Sequence, residues 1–140
     1  MARRSFKRSE PSRSYKKLYL ISTEGSKTEK EYLNLFNSRG SIVRVKCLSS
    51  KDRSSPNHVL KRMRDYLKDE RLRKEDEAWL VIDKDQWSDQ QLNSLLSWTR
   101  AESNYHLAVS TPKFEFWLLL HFDDGQGVLS SGDCSRRLKR

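Results

Sequence analysis

Apolar residues occur in short runs along the chain, and the runs alternate between strand-like and helix-like spacing. Lys17–Thr23 (KLYLIST) is a compact apolar run that predicts a buried strand from about Lys16 to Thr23. Ser26-Lys27-Thr28-Glu29 then has the S-x-x-E form of a capping box, which predicts a helix start. Tyr32, Leu33, Leu35 and Phe36 continue at helical spacing, and Gly40 suits the stop. Ile42–Leu48 (IVRVKCL) alternates, with Val43, Val45 and Cys47 on one side, and predicts a more exposed strand near a sheet edge. Lys51–Ser55 reads as a polar loop. Ser55-Pro56 places an N-cap before a proline at the first helical position. Val59, Met63, Tyr66 and Leu67 form the apolar stripe of a second helix running to about Arg73, its charged face turned to solvent.

The second half repeats this alternation. Trp79–Asp83 predicts a third buried strand, and Ser88-Asp89-Gln90-Gln91 a second capping box. Leu92, Leu95, Leu96 and Trp98 carry the third helix. His106–Ser110 is a short fourth strand, and Thr111-Pro112 opens a fourth helix through FEFWLLLHF. That last stretch is apolar nearly all round, which predicts burial on every side and a satisfied core position for His121. The order β-α-β-α-β-α-β-α predicts one α/β domain over residues 16–140. Its architecture would be a small four-stranded, mainly parallel, Rossmann-like sheet with helices on both faces. Ser130–Arg140 reads as the first turns of a further helix, as if the domain were truncated at its C-terminus.

Charge changes the picture at the ends. The net charge is +9. Residues 1–17 hold seven Lys/Arg against Glu10, a net of +6. Residues 133–140 hold four against Asp133, a net of +3, which leaves a neutral body. Residues 1–15 predict a disordered basic arm suited to polyanions such as nucleic acid. No apolar run reaches the roughly 18 residues of a membrane span, and no apolar signal core follows the basic start. Cys47 and Cys134 lack metal-ligand spacing and read as reduced thiols of a cytoplasmic protein.

The candidate chemistry lies at strand ends. The first strand delivers Glu24 and Gly25, and the third delivers Asp83, Lys84 and Asp85. Ligands of open α/β sheets bind outside the carboxyl ends of strands. A 2-1-3-4 strand order would make these two strands neighbours. Acids gathered there repel one another unless a cation neutralises them. Carboxylates without Cys/His clusters favour Mg²⁺ or Mn²⁺ over zinc. Gly25 lets the backbone turn, and the N–H groups at the following helix start would suit a phosphate. Lys27, Lys84 and Lys113 are candidate phosphate contacts. Glu115, in the first turn of the fourth helix, is a candidate partner to the metal ligands. Walker and dinucleotide glycine patterns are absent from the sequence.

Three blocks, ISTEGSKTEKEYLNLF (Ile21–Phe36), VIDKDQW (Val81–Trp87) and STPKFEFWLLLHF (Ser110–Phe122), together resemble the RloB-like family, which carries a Toprim-type fold. The third block departs slightly. The family usually shows Asn-Pro-Cys where this chain has Thr111-Pro112-Lys113, and Leu where it has Phe116. The resemblance implies that Glu24 is the Toprim glutamate and that Asp83 and Asp85 are its D-x-D metal ligands. It further implies Mg²⁺-dependent phosphodiester chemistry in bacterial restriction and abortive-infection systems, often beside a separate ATPase. The alternative is a noncatalytic nucleic-acid-binding or sensor subunit of such a complex.

Overall fold

The computed structural model describes residues 15–49, 56–84 and 87–139. In chain order these form β1 (Lys17–Thr23), α1 (Thr28–Asn34), β2 (Val43–Leu48), α2 (Pro56–Asp69) and β3 (Glu77–Asp83). They continue as α3 (Asp89–Thr99), β4 (Tyr105–Ser110), α4 (Phe114–Leu119) and α5 (Ser131–Leu138). Nearly all of the predicted basic arm, the Lys51–Ser55 loop and Asp85 lie outside the described residues.

The strands pair in the order β2-β1-β3-β4, every pair parallel. The fold is therefore the α/β sheet expected, with β2 at an edge and β1 beside β3. β1 is central, and Leu20, Ile21, Ser22 and Thr23 are buried whichever face they point to. In β3 the side chains alternate: Ala78, Leu80 and Ile82 are almost free of solvent, and their neighbours are half-buried.

One sheet face carries the main core. Leu20, Ala78, Leu80 and Ile82 pack against Val59, Leu60 and Met63 of α2 and Leu95 and Trp98 of α3. Each fully buried side chain of this size contributes roughly 1.5–3 kcal/mol. The other face is capped near the strand C-termini by α1 and α4. These meet through Tyr32 and Phe114, whose ring centroids are 5.7 Å apart, and α5 packs on α4. Toward the strand N-termini that face is polar and aromatic. Trp79 stacks on His106 at 4.5 Å, and Lys17 pairs with Glu77 at 2.5 Å.

Four local expectations change. Helix α1 starts at Thr28 with Lys27 at the N-cap and no side-chain cap, so Ser26 and Glu29 do not form a capping box. α2 ends at Asp69 rather than near Arg73. α4 is only six residues long, and it is not buried all round. Phe114 and Leu119 are buried, whereas Trp117, Leu120 and Phe122 are exposed. His121 is also exposed rather than in the core. Its Nε2 lies 3.3 Å from Tyr32 Oη, and its Nδ1 lies 3.0 Å from the Trp117 carbonyl. A helix this short, supported by α1 and α5, has too little neighbouring surface to cover every apolar side chain.

Candidate functional site: an acidic crevice at the strand ends

Parallel pairing of β1 with β3 sets their C-terminal ends side by side. Thr23 lies opposite Val81 in the register, and the Glu24 N–H donates to the Val81 carbonyl at 3.3 Å. The chain therefore leaves both strands at one place, with Glu24 beside Asp83. Glu24 Oε2 accepts from the Asp83 backbone N–H and from the Trp87 indole, each at 3.1 Å. Asp83 Oδ1 accepts from the Phe114 N–H at 2.8 Å. That contact ties the tip of β3 to the first residue of α4 and satisfies one of its orphan donors.

Two further carboxylates join them. Glu115 follows Phe114 in the first turn of α4. Glu29, near the start of α1, is only 7% exposed. Its carboxylate lies over Gly25, where any Cβ would collide with it. A side chain at this position would displace the Glu29 carboxylate, and no positive φ is involved. Backbone N–H groups of Glu29 itself and of Gly25 hold the Glu29 carboxylate. The helix start expected to cradle a phosphate is therefore filled by the protein's own anion.

The crowding is visible in the acidities. Burial raises Asp83 to about 7. The Phe114 N–H opposes the rise, and the charges of Glu24, Glu29 and Glu115 add to it. Burial also raises Glu29, against its backbone donors and with help from Glu115 and Glu24. Four carboxylates thus act on one another at the carboxyl edge of the sheet. Their donors are all oxygens, which suits a hard divalent cation, and such an ion would offset the like charges. Among the described residues, no three acidic, histidine or cysteine side chains stand in position to hold one ion. Asp85, the second acid of the D-x-D, lies outside the described residues.

The expected lysines are less concentrated than the acids. Lys27 and Lys84 are exposed at the crevice rim, on the residues that open α1 and follow β3. Lys113 instead donates to Ser135 Oγ on α5 at 2.6 Å. A cation does reach the end of β1. Arg62 of α2 is half-buried and donates to the Thr23 carbonyl at 2.6 Å. It departs from the solvated face expected of that helix.

Sequence reasoning missed Glu29, Trp87 and Arg62. Glu29 had a signal: it follows the Glu-Gly pair at a strand end, where an acid in the first turn of the helix can fold back. Its capping-box reading was the competing local explanation. Both cysteines are free, Cys134 buried and Cys47 half-buried with Sγ 3.7 Å from Thr23 Oγ1. No helix among the described residues is long and apolar enough to cross a membrane.

No curated protein and no solved structure matches the chain. The sequence model of the RloB-like proteins matches residues 19–140, a span that holds all three sequence blocks and every carboxylate of the crevice. The chain therefore belongs to the RloB-like protein family.

Proposed function

We propose that this chain is a Mg²⁺- or Mn²⁺-dependent nuclease of Toprim type that serves bacterial anti-phage defence. The observation that carries this reading is the gathering of Glu24, Glu29, Asp83 and Glu115 at the carboxyl edge of the sheet, where burial, with the neighbouring acids adding to it, lifts Asp83 to about 7. Glu24 and Asp83, with Asp85, are the residues that would hold the ion. When bound, the ion supplies a Lewis acid for the scissile phosphate and a nucleophilic water at neutral pH.

The chain's own groups set the geometry. The Asp83 amide and the Trp87 indole orient Glu24, and the Phe114 amide orients Asp83. Fixed carboxylates lose little entropy when they meet a ligand. Lys27 and Lys84, exposed at the rim, would meet phosphate oxygens in this reading. The basic ends of the sequence add salt-sensitive affinity for nucleic acid. A separate ATPase is the partner that the family resemblance suggests.

One observation favours a second reading, a noncatalytic nucleic-acid-binding or sensor subunit. Glu24 and Asp83 already accept hydrogen bonds that hold β3, Trp87 and α4 together. Incubation with single- and double-stranded DNA and RNA, with Mg²⁺ or Mn²⁺ and with chelator, separates the two. The nuclease reading expects cation-dependent cleavage that falls by at least about a hundredfold in Asp83→Asn/Asp85→Asn. Cleavage that persists in that variant, or none with any substrate, rejects it.

A further inference from the structure

We propose that the cavity walled by Arg71, Arg73 and Lys74, at the opposite pole of the sheet from the acidic crevice, is a binding site for a phosphate-bearing anion. The cavity has a volume of about 390 Å³. It opens between the segment that follows α2 and the turn that precedes β4, where Ser103, Asn104 and Tyr105 complete the wall. β3 starts beside it and ends at Asp83, so the length of a strand, about 20 Å, separates it from the carboxylates.

Charge points to the ligand class. Three cations line the cavity and Glu102 is the one acid on its rim. None of the three cations forms an ion pair among the described residues, although other basic clusters do. Lys61 and Lys68 of α2 share Asp65, and Arg136 and Arg137 pair with Asp133 and Asp123. Those cations are neutralised locally. In the cavity, the charge of Arg73 acts on the buried Asp76 carboxylate, while Arg71 and Lys74 form no ion pair among the described residues. A phosphate, with several acceptor oxygens, matches guanidinium and ammonium donors carried by one short segment of the wall.

The wall is also held in place before any ligand arrives. Asp76 is 2% exposed, and its carboxylate accepts from the Arg73 N–H, the Leu18 N–H and the Tyr15 hydroxyl. Asn104 donates to the Asp76 carbonyl at 2.9 Å, joining the two sides of the cavity. The Arg73 guanidinium lies 3.6 Å from the Tyr15 ring centroid. Tyr105 stacks on Trp98 at 4.3 Å. The fixed backbone of the wall and the stacked Arg73 guanidinium lower the ordering cost of binding, while Arg71 and Lys74 remain exposed side chains.

Phosphate of this kind comes from a soluble nucleotide or from a nucleic-acid strand. Calorimetric titration of the full chain with ATP and with pyrophosphate tests the first source. Anisotropy of a short labelled single-stranded RNA or DNA tests the second. Chelator is present throughout, so that the readout is binding and is independent of cleavage at the other pole. Arg71 and Lys74 are exposed, so Arg71→Ala/Lys74→Ala removes two charges without touching the core. Affinity for at least one probe is expected to fall about tenfold or more in that variant. Lys61→Ala/Lys68→Ala, which removes the same charge elsewhere, is expected to change it by less than about twofold. Loss with ATP or pyrophosphate assigns a nucleotide, and loss with the oligonucleotide alone assigns a strand. The proposal is overturned if no probe binds, if Arg71→Ala/Lys74→Ala binds as the parent does, or if the control variant loses as much.

Discussion

Asp83 combines two demands in one carboxyl group. It accepts the first amide of α4, which favours the charged form, and it sits in a dehydrated, acid-rich crevice, which favours the proton. The second influence dominates, lifting it from 3.8 to about 7. The folded chain therefore holds this proton more tightly than the unfolded chain does. The resulting stabilisation is fully present below about pH 4 and is lost as pH rises through about 7. Asp83→Asn keeps an oxygen for the Phe114 amide and removes the titration. In chelator, the variant is expected to be more stable than the parent at about pH 8, by on the order of 1–2 kcal/mol. The partial solvation of the crevice keeps this below the full linkage value. Near pH 4 the two should converge. Urea denaturation at both pH values measures the difference, and an advantage independent of pH would show that Asp83 is not raised by its surroundings.

Two four-residue stretches of the same form behave differently as elements. Ser88 caps α3, accepting from the Gln91 N–H at 3.3 Å, while Gln91 Oε1 accepts from the Ser88 N–H at 2.9 Å. Ser88→Ala is expected to cost about 1 kcal/mol in chemical denaturation, the usual loss of an N-cap. Ser26-Lys27-Thr28-Glu29 has the same form, but Glu29 turns down onto Gly25 and the helix start takes no cap from the side chain of its N-cap residue, Lys27. Local pattern cannot separate these cases, because the difference lies in what the rest of the fold offers the side chain. The four strands and the stripe of Val59 and Met63 were legible, since burial periodicity reports directly on which face is covered. Glu24 and Asp83 were legible as strand-end acids once neighbouring strands were assumed. Arg62 was not, because an arginine on a charged helix face looks the same whether it meets water or the Thr23 carbonyl. The FEFWLLLHF stretch misled for a related reason: composition reports a wish for burial, and only the neighbouring elements decide how much of it is met.

At the scale of the whole molecule, the parallel sheet separates charge by pole. Acids gather where β1 and β3 end, and three cations, of which Arg71 and Lys74 form no ion pair among the described residues, line the cavity where β3 begins. The crowding of carboxylates at one pole makes a thermal consequence of the proposed cation measurable. At about pH 8, Mg²⁺ or Mn²⁺ at about ten times its dissociation constant contributes about 1.4 kcal/mol. For a domain of this size that raises Tm by roughly 3–6 °C. Calorimetry should show the rise in the parent and its absence in Asp83→Asn/Asp85→Asn, and an unchanged parent Tm would favour the noncatalytic subunit. The Trp87 indole donates to Glu24, whereas the Trp79 indole donates to Glu77 at the other end of β3, and the rings of Trp98 and Trp117 lean on Tyr105 and His121. One fluorophore of four is thus wired to the anionic edge, and the emission colour of the unlabelled chain becomes a native optical gauge of what occupies it.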